Sequence, residues 1–140
     1  MAAVVMRKLV MPLDRAVQVR TCGRFSAGRV LGISSLLLTT VGARSGRSTP
    51  TPLFYVDHAG GYAVVASNFG LARHPGWSVN LLKEPVAAVC VAGRQLPVSA
   101  RLLTGGERDG VWRRFVSLSS DYQDYQERSG RDLRIFHLQL

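Results

Sequence analysis

The sequence is short of the residue types on which catalytic and metal chemistry is most often built. Its three histidines, His58, His74 and His137, are isolated from one another, and there is no H-E-x-x-H run and no paired C-x-x-C. That leaves no metalloprotease or zinc-ribbon constellation. Two cysteines, Cys22 and Cys90, cannot make a disulfide framework, and Cys90 lies in the apolar run AAVCVAG, so reduced thiols are expected. Only nine acids are present, with no carboxylate pair in an apolar setting of the kind that hydrolysis by paired carboxylates needs. No apolar run reaches the roughly 18 residues of a transmembrane helix. The opening Met1 to Met11 is interrupted by Arg7-Lys8 and lacks a small-residue cleavage site, so a signal peptide is not expected. Internal repeats, low-complexity tracts and a domain linker are also missing.

What is present is one domain's worth of foldable chain: 140 residues, 46% of them hydrophobic, with a mean hydropathy of +0.08. The charge is one-sided. Eighteen Lys and Arg give a net charge of +9 and a pI near 10.8, and 16 of them are arginine, since only Lys8 and Lys83 are lysines. Through Val56 there are eight basic residues against Asp14 alone, so seven of the nine net charges lie there. Such a field calls for an anionic partner: nucleic acid, an anionic membrane surface, or a phosphorylated or polycarboxylate ligand.

The chain is organised around Leu36 to Leu53, LLLTTVGARSGRSTPTPL. An apolar strand at Leu36 to Leu38 runs through Thr39-Thr40 into a loop in which Gly42 and Gly46 bracket Arg44 and Ser45, with Arg47 and Ser48 behind. A second strand, Pro52 to Val56, follows. Glycines let backbone N–H groups approach an anion, Thr40 and Ser45 add hydroxyl donors, and two guanidiniums offer bidentate charge-assisted bonds. It is not a P-loop: three residues separate the glycines, Arg47 stands for Lys, and Pro50 and Pro52 forbid the following helix. A basic hairpin turn accounts for the pattern equally well.

Residues 1–20 alternate apolar and basic groups and predict a helix broken at Pro12, which either covers one end of the domain or lies on an anionic membrane surface. Residues 20–32, with three glycines, read as a loop. Asp57 to Gly61 is a turn, and Tyr62 to Ser67 a strand. An irregular stretch, Asn68 to His74, precedes a helix from Pro75 to about Lys83 with Trp77 and Leu81 on one face. Val86 to Ala92 and Leu96 to Leu103 are strands. Thr104-x-x-Glu107 reads as a capping box opening a helix with Val111, Phe115 and Leu118 inward. Leu133 to Leu140 is the last strand. About six strands with two or three helices predict a mainly β protein with α elements (α+β), a split β-barrel of antiparallel strands with peripheral helices. Residues 1–32 would form a basic N-terminal segment packed on a 33–140 barrel domain.

Tyr122 and Tyr125 in DYQDYQ are three apart and share a face, where they either shape a pocket and donate a proton or cap the barrel.

The stretch LLLTTVGARSGRSTPTPLFYV, followed by VVASNFGLARHPGWSVNLL and DYQDYQERSGR, resembles the deazaflavin-dependent nitroreductase and quinone reductase family in order and register from about Leu36 to the C-terminus. The resemblance implies a split barrel that binds coenzyme F420. It implies that Thr40, Gly42, Arg44, Ser45, Gly46 and Arg47 hold the phosphate and glutamate tail. Pro52, Leu53, Tyr55, Ala66 and Ser67 then line the ring system and Asn68 also binds the cofactor, while Tyr122, Tyr125 and Ser67 serve catalysis. His74-Pro75-x-Trp77-x-x-Asn80-Leu81 matches the family's helix, with Trp77 as packing and Asn80 as an anchor. There are departures: Ala43 displaces the basic residue of the first motif by one, and Asn68-Phe69 replaces a Lys-Gly pair. The implied activity is transfer of a hydride from reduced F420 to a quinone, nitroaromatic or enone-like acceptor. The rivals are a non-catalytic F420 carrier and a basic nucleic-acid-binding module, the latter without a recognisable motif. The expected setting is cytoplasmic, as monomer or homodimer, with a peripheral place on the inner face of the cell membrane through residues 1–32.

Overall fold

The computed structural model of the chain describes residues 34–140; the expected basic N-terminal helix and the boundary at residue 32 lie outside them. Among the described residues are seven strands and three helices: β1 (Ser35–Val41), β2 (Ser48–Phe54), β3 (Val56–His58), β4 (Gly61–Val65), α1 (Gly76–Lys83), β5 (Val86–Val91), β6 (Arg94–Leu102), α2 (Gly105–Leu118), α3 (Asp121–Ser129) and β7 (Ile135–Gln139). The sheet runs β2-β1-β5-β6-β7-β4-β3, with every pair antiparallel. It curls so that β2 approaches β4, giving the half-barrel that the strand pattern predicts. The strand beyond the expected six is β3, which hairpins with β4 over residues expected to be a turn.

Period-two alternation sorts the side chains into two cores. Leu36, Leu38, Val64, Val89, Phe136 and Leu138 point inside the curl, where α1 adds Trp77 and Leu81. Their neighbours Ala63, Val65 and Ile135 point outward beneath α2 and α3, joining Leu103, Val111, Phe115, Tyr122 and Leu133. Leu118, expected inward, is 49% exposed, because α2 ends there and the chain turns away into α3.

Two local expectations fail for a common reason, a stronger partner elsewhere. Thr104 stands at the start of α2, but no side-chain cap bond forms. The Glu107 carboxylate instead takes the Arg101 guanidinium at 2.8 and 3.0 Å and His58 Nε2 at 2.8 Å, and a bidentate ionic partner outcompetes a backbone amide. Cys90 is disulfide-bonded, which corrects the expectation of reduced thiols; Cys22 lies outside the described residues.

Candidate anion and ring site

The loop between β1 and β2 is held from within and from below. Gly42 N–H donates to the Arg47 carbonyl at 2.8 Å and Gly46 N–H to the Gly42 carbonyl at 2.9 Å, while Ser45 Oγ accepts from Arg47 N–H at 3.2 Å. A Cβ on Gly42 would lie 2.6 Å from Ser45 Oγ and 3.1 Å from the Arg47 carbonyl oxygen, so the turn closes only on glycine there. From α1, Asn80 Oδ1 accepts from Ala43 N–H and Asn80 Nδ2 donates to Thr40 Oγ1, both at 2.9 Å. Lys83 Nζ donates to the Ala43 carbonyl at 2.6 Å. The buried Thr40 thus faces Asn80, and Arg44, Ser45, Gly46 and Arg47 face solvent. Among the described residues no acid pairs with Arg44 or Arg47. Two unneutralised guanidiniums on a rigid turn form a donor set suited to a phosphate or carboxylate group.

Beyond the loop, β2 is an edge strand, which is where Pro50 and Pro52 can sit without costing a ladder bond. Pro52 is buried opposite Leu37, and Leu53 and Tyr55 pack on the inner core. Tyr55 meets Tyr62 edge-on, ring centres 4.9 Å apart, which joins the β2 end to β4.

The ring-lining candidates at the end of β4 are gripped by a residue that sequence reasoning missed. After Ala66 N–H pairs with the Arg134 carbonyl, the chain leaves the sheet in a short 3-10 turn, Asn68 to Gly70. Asn68 adopts φ +47, and its Nδ2 donates to the Arg73 carbonyl at 2.9 Å. The Arg131 guanidinium reaches this segment from beyond α3. It donates to the carbonyls of Ala66 (3.0 Å), Ser67 (2.8 Å) and Leu71 (3.1 Å), and lies 3.1 Å from His74 Nδ1. Burial first, then Arg134 and Arg131, lowers the His74 pKa, so the neutral ring accepts that N–H. Backbone acceptors more than 55 residues away leave no trace in sequence; the only signal was Arg131 itself in ERSGR.

The two tyrosines meet edge-on, ring centres 6.0 Å apart, and differ in exposure. Tyr122 is 9% exposed and lies 5.1 Å from the Phe115 ring, within the outer core. Tyr125 is half-buried, against the 3-10 turn: a Cβ on Gly70 would sit 3.1 Å from Tyr125 Cα. Burial pushes both phenols above their ordinary value. Among the described residues, then, Thr40 and the residues from Gly42 to Arg47 cluster with Asn80 and Lys83. Ala66, Ser67 and Asn68 cluster with Arg131, His74 and the α3 end that carries Tyr125.

A second polar cluster corrects the reading of isolated histidines. His58 and His137 meet edge-on at 5.0 Å, His137 Nε2 donates to the His58 carbonyl at 3.0 Å, and Arg101 lies 3.2 Å from His137 Nδ1. Arg101 and then His58 hold the Glu107 carboxyl down at about 2. The described residues contain no group of His, Cys, Asp and Glu able to hold a metal.

Comparison with known proteins supplies what geometry does not. A family model described as F420H(2)-dependent quinone reductase matches residues 11–139. A Mycobacterium tuberculosis protein provisionally named an F420H(2)-dependent quinone reductase is 30% identical over 115 residues, covering 82% of this chain and 97% of the relative. Another protein of that organism, named F420H(2)-dependent quinone reductase, is 31% identical over 72% of this chain and 70% of its own length. A solved structure titled F420-H2 dependent reductase superposes with a TM-score of 0.69 at 36% identity, over 76% of this chain and 94% of that one. The haem-storage protein HutZ of Vibrio cholerae, at 18% identity and a TM-score of 0.58, shares the fold.

Proposed function

The chain belongs to the F420H(2)-dependent quinone reductase family, and from that premise we propose that it reduces a quinone, with Arg44 and Arg47 holding the acidic tail of its cofactor. It is an F420-dependent oxidoreductase whose cofactor is coenzyme F420. The observation that carries the site assignment is the solvent-facing pair of guanidiniums, unpaired with any described acid, on a turn fixed by Gly42 and Asn80. That donor set fits a ligand bearing phosphate and carboxylates. Thr40, Gly42, Ser45 and Gly46 shape the cradle, and the edge from Pro52, Leu53 and Tyr55 to Ala66, Ser67 and Asn68 borders the ring.

Bound reduced F420 supplies a hydride; the protein's own contributions are orientation, exclusion of water and a proton. Tyr125 is the better-placed proton donor, since both pack on the outer core but Tyr125 is half-buried where Tyr122 is 9% exposed. Ser67, at the turn out of β4, positions the ring by backbone and hydroxyl. A quinone is a flat, lipophilic acceptor, which suits the aromatic edge at Tyr55 and Tyr62 and a place for residues 1–32 at an anionic membrane surface. Nitroaromatic and enone-like acceptors fit the same edge less specifically.

The test is oxidation of reduced F420 followed by absorbance with a menaquinone analogue, a nitroaromatic and a cyclic enone, with reduced FMN as the competing donor. Turnover with F420 and the quinone is expected. Tight F420 binding with no oxidation by any acceptor would replace this reading with that of a carrier.

A further inference from the structure

We propose that Arg131 is the positioning residue of the ring site, setting the segment 66–74 through its backbone and thereby setting how the cofactor ring and Tyr125 face each other. The inference rests on the reading above, in which Ala66 and Ser67 border the ring. One guanidinium gathers the carbonyls of Ala66, Ser67 and Leu71 and the ring nitrogen of His74. A planar fork is required for this: its five N–H donors have fixed directions, whereas an ammonium is a single point.

The segment is held by packing at Ala66, in the inner core, and at Gly70, against Tyr125. It has left the sheet, and it carries positive φ at Asn68 and Gly70. Beyond Arg131 its described bonds are the turn contacts Gly70 N–H to Ser67 and Leu71 N–H to Asn68, the Asn68 side chain and the pairing of Ala66 N–H. Arg131 is itself well placed to act as a reference point. Gly130 in the left-handed region (φ +64) ends α3, Ser129 Oγ accepts from Arg131 N–H at 3.3 Å, and Gln126 Nε2 donates to the Arg131 carbonyl. Tyr125 sits one turn earlier on α3, against Gly70. One side chain therefore ties the helix bearing the proposed proton donor to the strand end bordering the ring.

The experiment uses the full chain as wild type, Arg131→Lys, Arg131→Gln and, for contrast, Arg44→Ala. Backbone hydrogen exchange without ligand should rise over 66–74 in both Arg131 variants and stay at the wild-type level in the strand ladder; unchanged exchange there overturns the clamp whether or not F420 binds. With F420, Arg131→Lys should lower kcat by about tenfold at saturating cofactor and change the visible circular dichroism of the bound ring, with the acceptor KM within about twofold. Arg44→Ala should weaken cofactor binding while leaving backbone exchange over 66–74 at the wild-type level. Wild-type kcat and dichroism in both Arg131 variants would overturn the proposal, as would loss of the far-UV spectrum by both, which would make Arg131 a general structural residue. Failure of the wild type to bind F420 would instead sink the functional reading, leaving the exchange result to decide the clamp.

Discussion

At the residue scale, the side chain that ties the β1–β2 loop to α1 is Asn80, which satisfies the Ala43 amide and the Thr40 hydroxyl together. Removing it leaves a part-buried backbone donor without its acceptor, at a cost of about 1–3 kcal/mol. Asn80→Ala should accordingly lower the thermal midpoint and weaken F420 binding, whereas Asn80→Asp, which keeps an acceptor for Ala43, should do less of both; equal loss in the two variants would contradict the role. The tyrosines make an opposed pair. Tyr125→Phe should reduce turnover more than cofactor affinity, measured by steady-state kinetics beside a binding titration. Tyr122→Phe should leave turnover within about twofold, while Tyr122→Ala should cost about 3–5 kcal/mol of stability by denaturant unfolding, as for other large core truncations. Spacing alone put both tyrosines on one face. It could not tell which of them the Phe115 ring would cover, because that depends on how α3 docks on α2.

Elements were legible where a local signal met no competitor. β1, the glycine-bracketed turn and β2 follow from apolar residues, glycine and edge prolines, and Pro75 and Pro85 bound α1. The misreadings arose where distant chain intervened. Glu107 has the spacing of a cap but meets Arg101 and His58, and Arg131 clamps backbone that no pattern marks. The Glu107 pairing has a pH signature. Its carboxyl is held at about 2, below the ordinary 4.5, so on acidification the unfolded chain takes up the proton first. This contribution is complete above about pH 4.5 and is lost as pH falls towards 2. His74 and His137 are likewise lowered from 6.5, chiefly by burial, so their contribution is present above 6.5 and declines as pH falls below it. Thermal midpoints should therefore drop in two stages on acidification, and Glu107→Gln should flatten the lower stage. An unchanged profile in that variant would contradict the ion pair's role.

At the scale of the whole molecule, a curled antiparallel sheet brings an edge strand, β2, round to β4, and the glycine-bracketed β1–β2 loop projects from the same edge. The net charge of +9 gives the chain a long-range attraction for an anionic cofactor, and exposed charges are screened within about 8 Å at physiological salt. F420 affinity should therefore fall several-fold between low and high salt, mainly through association rate. The most direct measurement is a fluorescence titration of wild type and of the Arg44→Ala, Arg47→Ala double variant with F420 and with FMN at two salt concentrations. Selective, salt-weakened F420 binding by the wild type, lost by about 100-fold in the double variant, is the expected result. Equal affinity of the two proteins for F420, or a preference for FMN, would contradict the assignment of the loop as the cofactor's anchor.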